Sequence, residues 1–203
     1  MTMTNWLMQV RPAKIGIAQL LAILAIALSA CASPGPFNSV ADGADSVLML
    51  KGHDPVAYFT TAKHTLGLPD IKTSHEGATY RFASEENKAM FVGDPVRYAP
   101  QFGGFCTNGI VYGIPWGGDP DTWKMIDGKL YIFGGDASRK YFLMNEKRNL
   151  QLAHEYWLGE VKGSNGLVQR YYRLVVRVPH YKTGEQLEAE WQRSQGAKPQ
   201  GLQ

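Results

Sequence analysis

In this 203-residue chain, two cysteines and a few histidines are the side chains best suited to bind a metal or to react. Cys31 ends an apolar N-terminal segment, and Cys106 follows a glycine pair near the middle of the chain. Two cysteines are too few for a disulfide framework or for a four-cysteine zinc site. Each thiol therefore has to be interpreted by itself.

Cys106 has three interpretations that the sequence leaves open. The thiol can be buried as a small hydrophobic group, which is common for free cysteine. It can be a soft ligand for Cu(I) or Zn(II), since thiolate suits both ions. It can also be a redox-active or nucleophilic thiol, although the sequence shows no helix N-terminus or fixed histidine that would activate it.

The histidines at positions 53, 64 and 75 are candidate nitrogen ligands. Proline and glycine between them prevent one continuous helix from aligning their side chains. A mononuclear copper or zinc site that uses Cys106, His53 and His75 is chemically reasonable. For each histidine alone, a solvated or core side chain is the alternative.

Sequence signatures of enzymes are missing from the chain. It contains no HExxH, no Ser/His/Asp pattern and no Gly-rich phosphate loop, so we expect a protein that is not an enzyme. The thiol redox role of Cys106 is the weakest of its three interpretations.

Two tryptophans and two Asp-Pro pairs have both a functional and a structural interpretation. Trp116 and Trp123 lie in and after a Gly- and Pro-rich loop, where they form a candidate partner surface, with core packing as the alternative. Asp54-Pro55 and Asp94-Pro95 are predicted to be turns in which the aspartate accepts backbone N–H bonds.

Residues 1–30 are predicted to be a lipoprotein signal peptide. Arg11 and Lys14 precede the apolar run Ile15–Leu28, which would span about 21 Å as a helix and is shorter than the roughly 30 Å hydrocarbon core. The following Leu28-Ser29-Ala30-Cys31 resembles a bacterial lipobox, which implies removal of the leader and attachment of acyl chains such as palmitate to Cys31. An ordinary secretory signal is the alternative.

The predicted processing also sets the charge and the partners. Loss of Arg11 and Lys14 lowers the formal net charge from +3 to +1, without the basic surplus of a nucleic-acid binder. Residues 31–45 are rich in Pro, Gly, Ser and Asp and are predicted to be a tether. The expected partners are the membrane, through the lipid on Cys31, and an unknown envelope protein, but no nucleic acid.

Local signals in the mature chain predict an α+β fold. Ala78–Phe82 alternates like a strand, Ser84 is a candidate N-cap, and Gly93-Asp94-Pro95 is expected to end the helix that follows. Asp127-Gly128 is the strongest signal for a hairpin turn.

The C-terminal part of the chain is predicted to add helices and one strand. Ser138–Leu158 has helical spacing, Leu167–Val178 alternates strictly like a strand, and Thr183-Gly184-Glu185-Gln186 has the form of a capping box. We therefore expect a single compact domain at residues 46–157, with a small mixed or antiparallel sheet and packed helices. A strand–helix extension with a frayed tail is expected at residues 158–203.

Three segments of the chain resemble the bacterial YHS-domain lipoproteins. They are GHDPVAYF at residues 52–59, GATYRFASEEN at residues 77–87, and FVGDPVRYAPQFGGFC at residues 91–106. DPDTW at residues 119–123, followed by DGKLY at residues 127–131, resembles the segment that commonly comes next in the family. The similarity covers roughly Ser46–Tyr156. His53 and Phe105 replace family tyrosines, and His53 is the strongest histidine candidate because it lies in the first motif.

The resemblance implies a small α+β module of the YHS type. Such modules occur in copper-transporting ATPases and look related to metal-chelating modules with paired cysteines, which this chain lacks. We therefore expect a lipid-anchored protein that handles a transition metal, with copper favoured, outside the cytoplasm. Ala32 favours the periplasmic face of the outer membrane in a Gram-negative cell. The alternative is a metal-free interaction or structural lipoprotein in which Cys106 is buried.

Overall fold

A four-stranded mixed sheet, a two-stranded antiparallel sheet and surrounding helices make up the fold. The structure, a computed structural model, describes residues 37–196. The prediction of an α+β domain with a small mixed sheet is confirmed. Cys31 and the predicted signal peptide lie outside the described residues.

The four-stranded sheet comes from the first half of the described chain. Its strands are β1 (Ser39–Asp42), β2 (Asp45–Met49), β3 (Leu68–His75) and β4 (Ala78–Phe82), in the spatial order β1-β2-β4-β3. Strand β2 is parallel to β4, and the other two pairs are antiparallel. Strands β1 and β3 are therefore the two edges of the sheet.

Strand β1 corrects the predicted tether at residues 31–45. The chain is already in a strand at Ser39, which pairs with Met49 across a turn that contains Gly43. Gly43 has a φ of +59°, a backbone conformation that glycine adopts without steric cost. Gly43, which contributes to the composition that predicts a flexible tether, therefore lies in the turn of a hairpin.

The second sheet is the predicted hairpin. Strands β5 (Asp119–Ile126) and β6 (Lys129–Phe133) are antiparallel, with Ile126 opposite Lys129. Asp127 and Gly128 connect them with positive φ angles of 49° and 70°. The Asp-Gly signal is confirmed.

The helices surround the two sheets. They are α1 (Ala57–Thr60), α2 (Glu85–Gly93), α3 (Pro95–Tyr98), α4 (Thr107–Ile110), α5 (Asp136–Leu143), α6 (Glu146–Tyr156), α7 (Gly166–Val175) and α8 (Gly184–Gly196), with 3-10 turns at Leu50–Gly52 and Gln101–Gly104 and a π-helical turn at Trp157–Val161. None of the helices within residues 37–196 has the length and apolar character needed to cross a bilayer.

Two predicted helix starts are confirmed by their hydrogen bonds. The Ser84 hydroxyl accepts the N–H of Asn87 at 3.2 Å, as an N-cap does. Before α8, the Thr183 N–H donates to the Gln186 side chain at 2.8 Å, and the Gln186 N–H donates back to Thr183 at 3.3 Å. This reciprocal pair is a capping box.

The predicted helical segment Ser138–Leu158 is two helices, α5 and α6, rather than one. Asn145 leaves the helical conformation at φ −144° and ψ 62°. The side chain of Asn149 then donates to the Phe142 carbonyl at 2.8 Å and satisfies one of the acceptors that the end of α5 leaves open. The break therefore has a local polar cause.

The predicted strand Leu167–Val178 is wrong, because residues 166–175 form helix α7. The Asn165 side chain caps this helix by accepting the N–H groups of Leu167 and Val168 at 3.0 and 3.1 Å. The apolar residues of the segment also fit helical spacing, so alternation alone could not decide between the two periods.

The C-terminal residues belong to the same hydrophobic core as the rest of the domain. Val178 is buried in a cluster with Phe133 and Phe142, and Leu187 of α8 is buried as well. Four aromatic side chains from the first half of the described chain are buried too: Tyr58, Tyr80, Tyr98 and Phe102. Residues 158–196 therefore complete the domain rather than extend from it.

Candidate functional site

Cys106 is buried at the start of α4, with 4% of its surface exposed. Its Sγ lies 3.0 Å from the Ser138 Oγ of α5. Its N–H donates to the Trp116 carbonyl at 2.9 Å, and a Cβ added to Gly134 would lie 3.4 Å from the sulfur. Of the three interpretations of Cys106, a buried structural thiol fits this environment.

His53 is fixed by the 3-10 turn that precedes it. Its Nδ1 lies 2.9 Å from the Leu50 carbonyl, and because a carbonyl only accepts, Nδ1 carries a proton. Its Nε2 lies 3.4 Å from Asp121 Oδ1, and Nδ1 of His64 is 4.0 Å from the same oxygen. His53, His64 and Asp121 thus form a small cluster, which we call the histidine–aspartate cluster.

His75 lies elsewhere, at the end of edge strand β3, where its ring packs edge-on against Phe91 at a centroid distance of 6.0 Å. Cys106, His53 and His75 therefore have different neighbours. Within residues 37–196, no group of three or more His, Cys, Asp or Glu side chains is arranged to hold a metal ion. The structure does not bring the three predicted metal ligands together.

Asp121 is the residue of the histidine–aspartate cluster that sequence reasoning missed. It lies in strand β5, far from His53 in the chain. Its only sequence signal is its place in Asp119-Pro120-Asp121, and no spacing rule connects this segment with a histidine in a distant turn.

The two tryptophans do not form one exposed surface. Trp116 is 39% exposed, and the Arg170 guanidinium lies 5.2 Å from the centre of its ring. Trp123 is half-buried and packs edge-on against Tyr58 at a centroid distance of 5.2 Å. Trp116 thus borders α7, whereas Trp123 belongs to the core.

Helix α7 presents most of its apolar side chains to solvent. The exposed fractions are 58% for Leu167, 65% for Val168, 64% for Tyr171 and 83% for Val175. A helix packed on a globular core normally has the opposite arrangement, with its apolar stripe inward. We call these four residues the outer face of α7.

The inner face of α7 is polar and holds the helix to the domain. Gln169 donates to the Gly113 carbonyl at 3.2 Å, and Arg170 donates to the Pro115 carbonyl at 2.8 Å. Arg173 forms a two-point ion pair with Glu160, with Nε 2.8 Å from the carboxylate, and this pairing raises the pKa of the guanidinium. These polar contacts fix the helix to the domain, while the four residues of the outer face stay exposed.

A polar cavity of about 380 Å³ lies beside α5, α6 and α8. His180 lines it, but its ring stacks on Tyr112 at an interplanar angle of 28° and its Nε2 donates to the Val111 carbonyl at 2.9 Å. Lys182, another lining residue, pairs with Glu190. These contacts give His180 and Lys182 structural roles.

Comparison of the chain with protein-family models, with curated proteins and with solved structures found no match. The resemblance to YHS-domain lipoproteins therefore depends on the motif residues themselves.

In the structure, Tyr58 of the first motif is buried and donates to the Pro120 carbonyl at 3.0 Å. Burial raises the pKa of this phenol, so the hydroxyl remains a donor. The motif residue thus secures the start of β5.

Proposed function

We propose that this chain is a lipid-anchored protein of the cell envelope, of the YHS-domain lipoprotein type, whose folded domain is a binding module rather than an enzyme. The observation that carries the proposal is the outer face of α7. Large exposed apolar surfaces mark sites of interaction, and here the polar half of the helix is fixed to the domain while the apolar half stays free.

The lipid anchor is supported by the residues at the end of the leader. Leu28-Ser29-Ala30-Cys31 follows a short apolar run and a basic start, as in a lipoprotein signal peptide. Only six positions separate Cys31 from Phe37, where the described chain begins. We place the protein outside the cytoplasm, on the periplasmic face of the outer membrane in a Gram-negative cell.

Metabolic labelling with palmitate tests the anchor. The parent chain should incorporate label and fractionate with membranes, whereas Cys31→Ala should incorporate none. Cys106→Ala is the matched control, because it removes the other cysteine and should keep the label. An unlabelled parent chain, or label that persists in Cys31→Ala, would rule out the anchor.

Metal handling, with copper favoured, is the second candidate function, and the histidine–aspartate cluster is the observation that favours it. The separation of 3.4 Å between His53 Nε2 and Asp121 Oδ1 is close to the roughly 3.3 Å between neighbouring ligands of a tetrahedral ion with bonds of about 2.0 Å. The Leu50 carbonyl fixes the tautomer that leaves Nε2 free, as outer partners of metal-binding histidines do. His64 would have to move to complete a three-ligand site.

Elemental analysis of the purified protein after exposure to Zn(II) or Cu(I) tests this second function. About one equivalent should be retained by the parent chain and by His75→Ala, and lost in His53→Ala. Loss in Cys106→Ser instead would assign the metal to the thiol. No retention by the parent chain would eliminate metal handling and leave the binding module.

A further inference from the structure

We propose that the outer face of α7 lies on the membrane that holds the Cys31 anchor, with its apolar side chains in the boundary between headgroups and acyl chains. This inference rests on the proposed function, because it takes the lipid anchor as given. It names the surface that the binding module engages: an anionic phospholipid bilayer.

The composition of α7 is typical of a helix that lies in a membrane interface. The segment 166–177 contains leucine, valine and tyrosine, three arginines and no acidic residue. Helices with an apolar face and basic residues at its border bind anionic bilayers. Tyrosine suits this boundary because its ring is apolar and its hydroxyl stays hydrated. Arg170 and Arg173 are bound to the domain. Arg177, just beyond the end of α7, is exposed and is the arginine of this segment that can meet anionic headgroups.

The start of the described chain and α7 contact the same loop. The side chain of Asn38 donates to the Gly118 carbonyl at 3.0 Å, two positions after Trp116. Arg170 of α7 covers the ring of this same Trp116. The N-terminal end of the domain and the helix thus meet at one loop, residues 115–118.

The length of the connection limits how far α7 can lie from the bilayer. Six residues span at most about 20 Å when fully extended. A lipid on Cys31 would therefore hold the loop at residues 115–118 near the headgroups, and the adjacent α7 with it. The polar contacts of Gln169, Arg170 and Arg173 hold the helix in place before any lipid is bound, so the outer face needs no rearrangement.

Fluorescence quenching tests the inference on the full lipidated protein, after it is bound to vesicles that contain no other protein. The vesicles contain phosphatidylethanolamine and phosphatidylglycerol, with or without bromine on the acyl chains. A polarity-sensitive fluorophore is attached at Val175→Cys, or at the matched control Val96→Cys in α3. These two valines are 83% and 77% exposed, so both substitutions should fold, and circular dichroism checks this. The parent chain, whose Cys106 is buried, is the labelling blank.

We expect quenching at position 175 to be several-fold stronger than at position 96, and a second substitution, Val168→Asp, to reduce it. Equal quenching at the two positions would overturn the inference. So would a cysteine at position 175 that is protected from thiol reagents in cells but shows no quenching in vesicles, because that result would assign the outer face to a protein partner. A parent chain that does not float with vesicles would show that the anchor itself is wrong, and the inference would fall with it.

Discussion

The carboxylate of Asp54 accepts a hydrogen bond of 2.6 Å from the Nδ2 of Asn87. The two residues lie 33 positions apart in the chain. The same carboxylate accepts the N–H groups of Val56 and Ala83, both at 2.8 Å. Asp54 therefore joins the turn before α1 to the end of strand β4 and to helix α2, which gives this residue a structural role.

Replacement of Asp54 should destabilise the fold strongly. Asp54→Asn keeps the shape but presents an NH₂ group to donors, and it removes charge-assisted hydrogen bonds from a fully buried site. We expect a loss of about 2–4 kcal/mol in the free energy of unfolding, measured by urea denaturation. The control is Asp94→Asn in the other Asp-Pro pair, which caps the short helix α3. Because asparagine is an equally good N-cap, its loss should be below about 0.5 kcal/mol, and equal losses would contradict the prediction.

Asp45 should make the stability depend on acid pH. Its carboxylate accepts from Lys72 at 2.6 Å and from Arg81 at 2.6 and 2.9 Å, and the bond from Lys72, followed by that from Arg81, lowers its pKa. The folded pKa thus lies below the unfolded value of about 3.9. The stabilisation is therefore full above that pH and is lost as the pH falls towards the folded pKa.

The variant Asp45→Asn should lose about 2 kcal/mol of unfolding free energy at pH 7. The difference from the parent chain should shrink below about pH 4, as followed by urea denaturation across the acid range. Asp70→Asn, an exposed substitution in β3, should match the parent at every pH. A difference between Asp45→Asn and the parent that persists to pH 2 would refute the argument.

The Cys106 thiol should resist modification in the folded protein. Its enclosure by Ser138 and Gly134 predicts that a water-soluble disulfide reagent reacts at least about a hundred times more slowly than with an exposed cysteine, since access limits thiol exchange. The Val96→Cys variant provides that exposed reference in the same chain. Full reactivity should return in denaturant. A rapid reaction of the native parent chain would favour the redox interpretation.

Gly118 should tolerate no side chain. A Cβ at this position would overlap the Gly104 carbonyl oxygen and lie 2.7 Å from Ile132. We expect Gly118→Ala to cost about 2–3 kcal/mol, as overpacking does, and to lower the thermal midpoint accordingly. Gly93→Ala, in α2 with open space around it, should be neutral or stabilise by about 0.5 kcal/mol. A neutral Gly118→Ala would contradict this close backbone approach.

Signals contained within a few residues could be predicted from the sequence. The Ser84 cap, the Asp127-Gly128 turn and the box at Thr183–Gln186 each depend on atoms no more than three positions apart. The strand prediction for the α7 segment was wrong because an alternating pattern and a helical spacing both fit the same residues. Its helical state is supported by the Asn165 cap and by the Arg173 pair with Glu160, and sequence periodicity contains neither.

The candidate site was harder to predict because its contacts join distant parts of the chain. The sequence motif points to His53, but the carboxylate beside it is Asp121 of β5. The chemistry of a thiol points to Cys106, but the sequence does not show that its sulfur lies against Ser138 of α5. Residue type indicated what each side chain can do, whereas only tertiary packing determines which groups meet.

The edge strand β3 bears on how copies of the domain meet when they are crowded together. Molecules anchored in one membrane share a plane, so identical domains meet at far higher local density than in solution. An open strand edge in such a layer is a template for pairing with a neighbour. Here the exposed Pro69 supplies no N–H, and the exposed Asp70 places a charge on the same edge. Under the proposed lipid anchor, strand β3 would therefore end the sheet in a way that disfavours pairing between neighbouring copies.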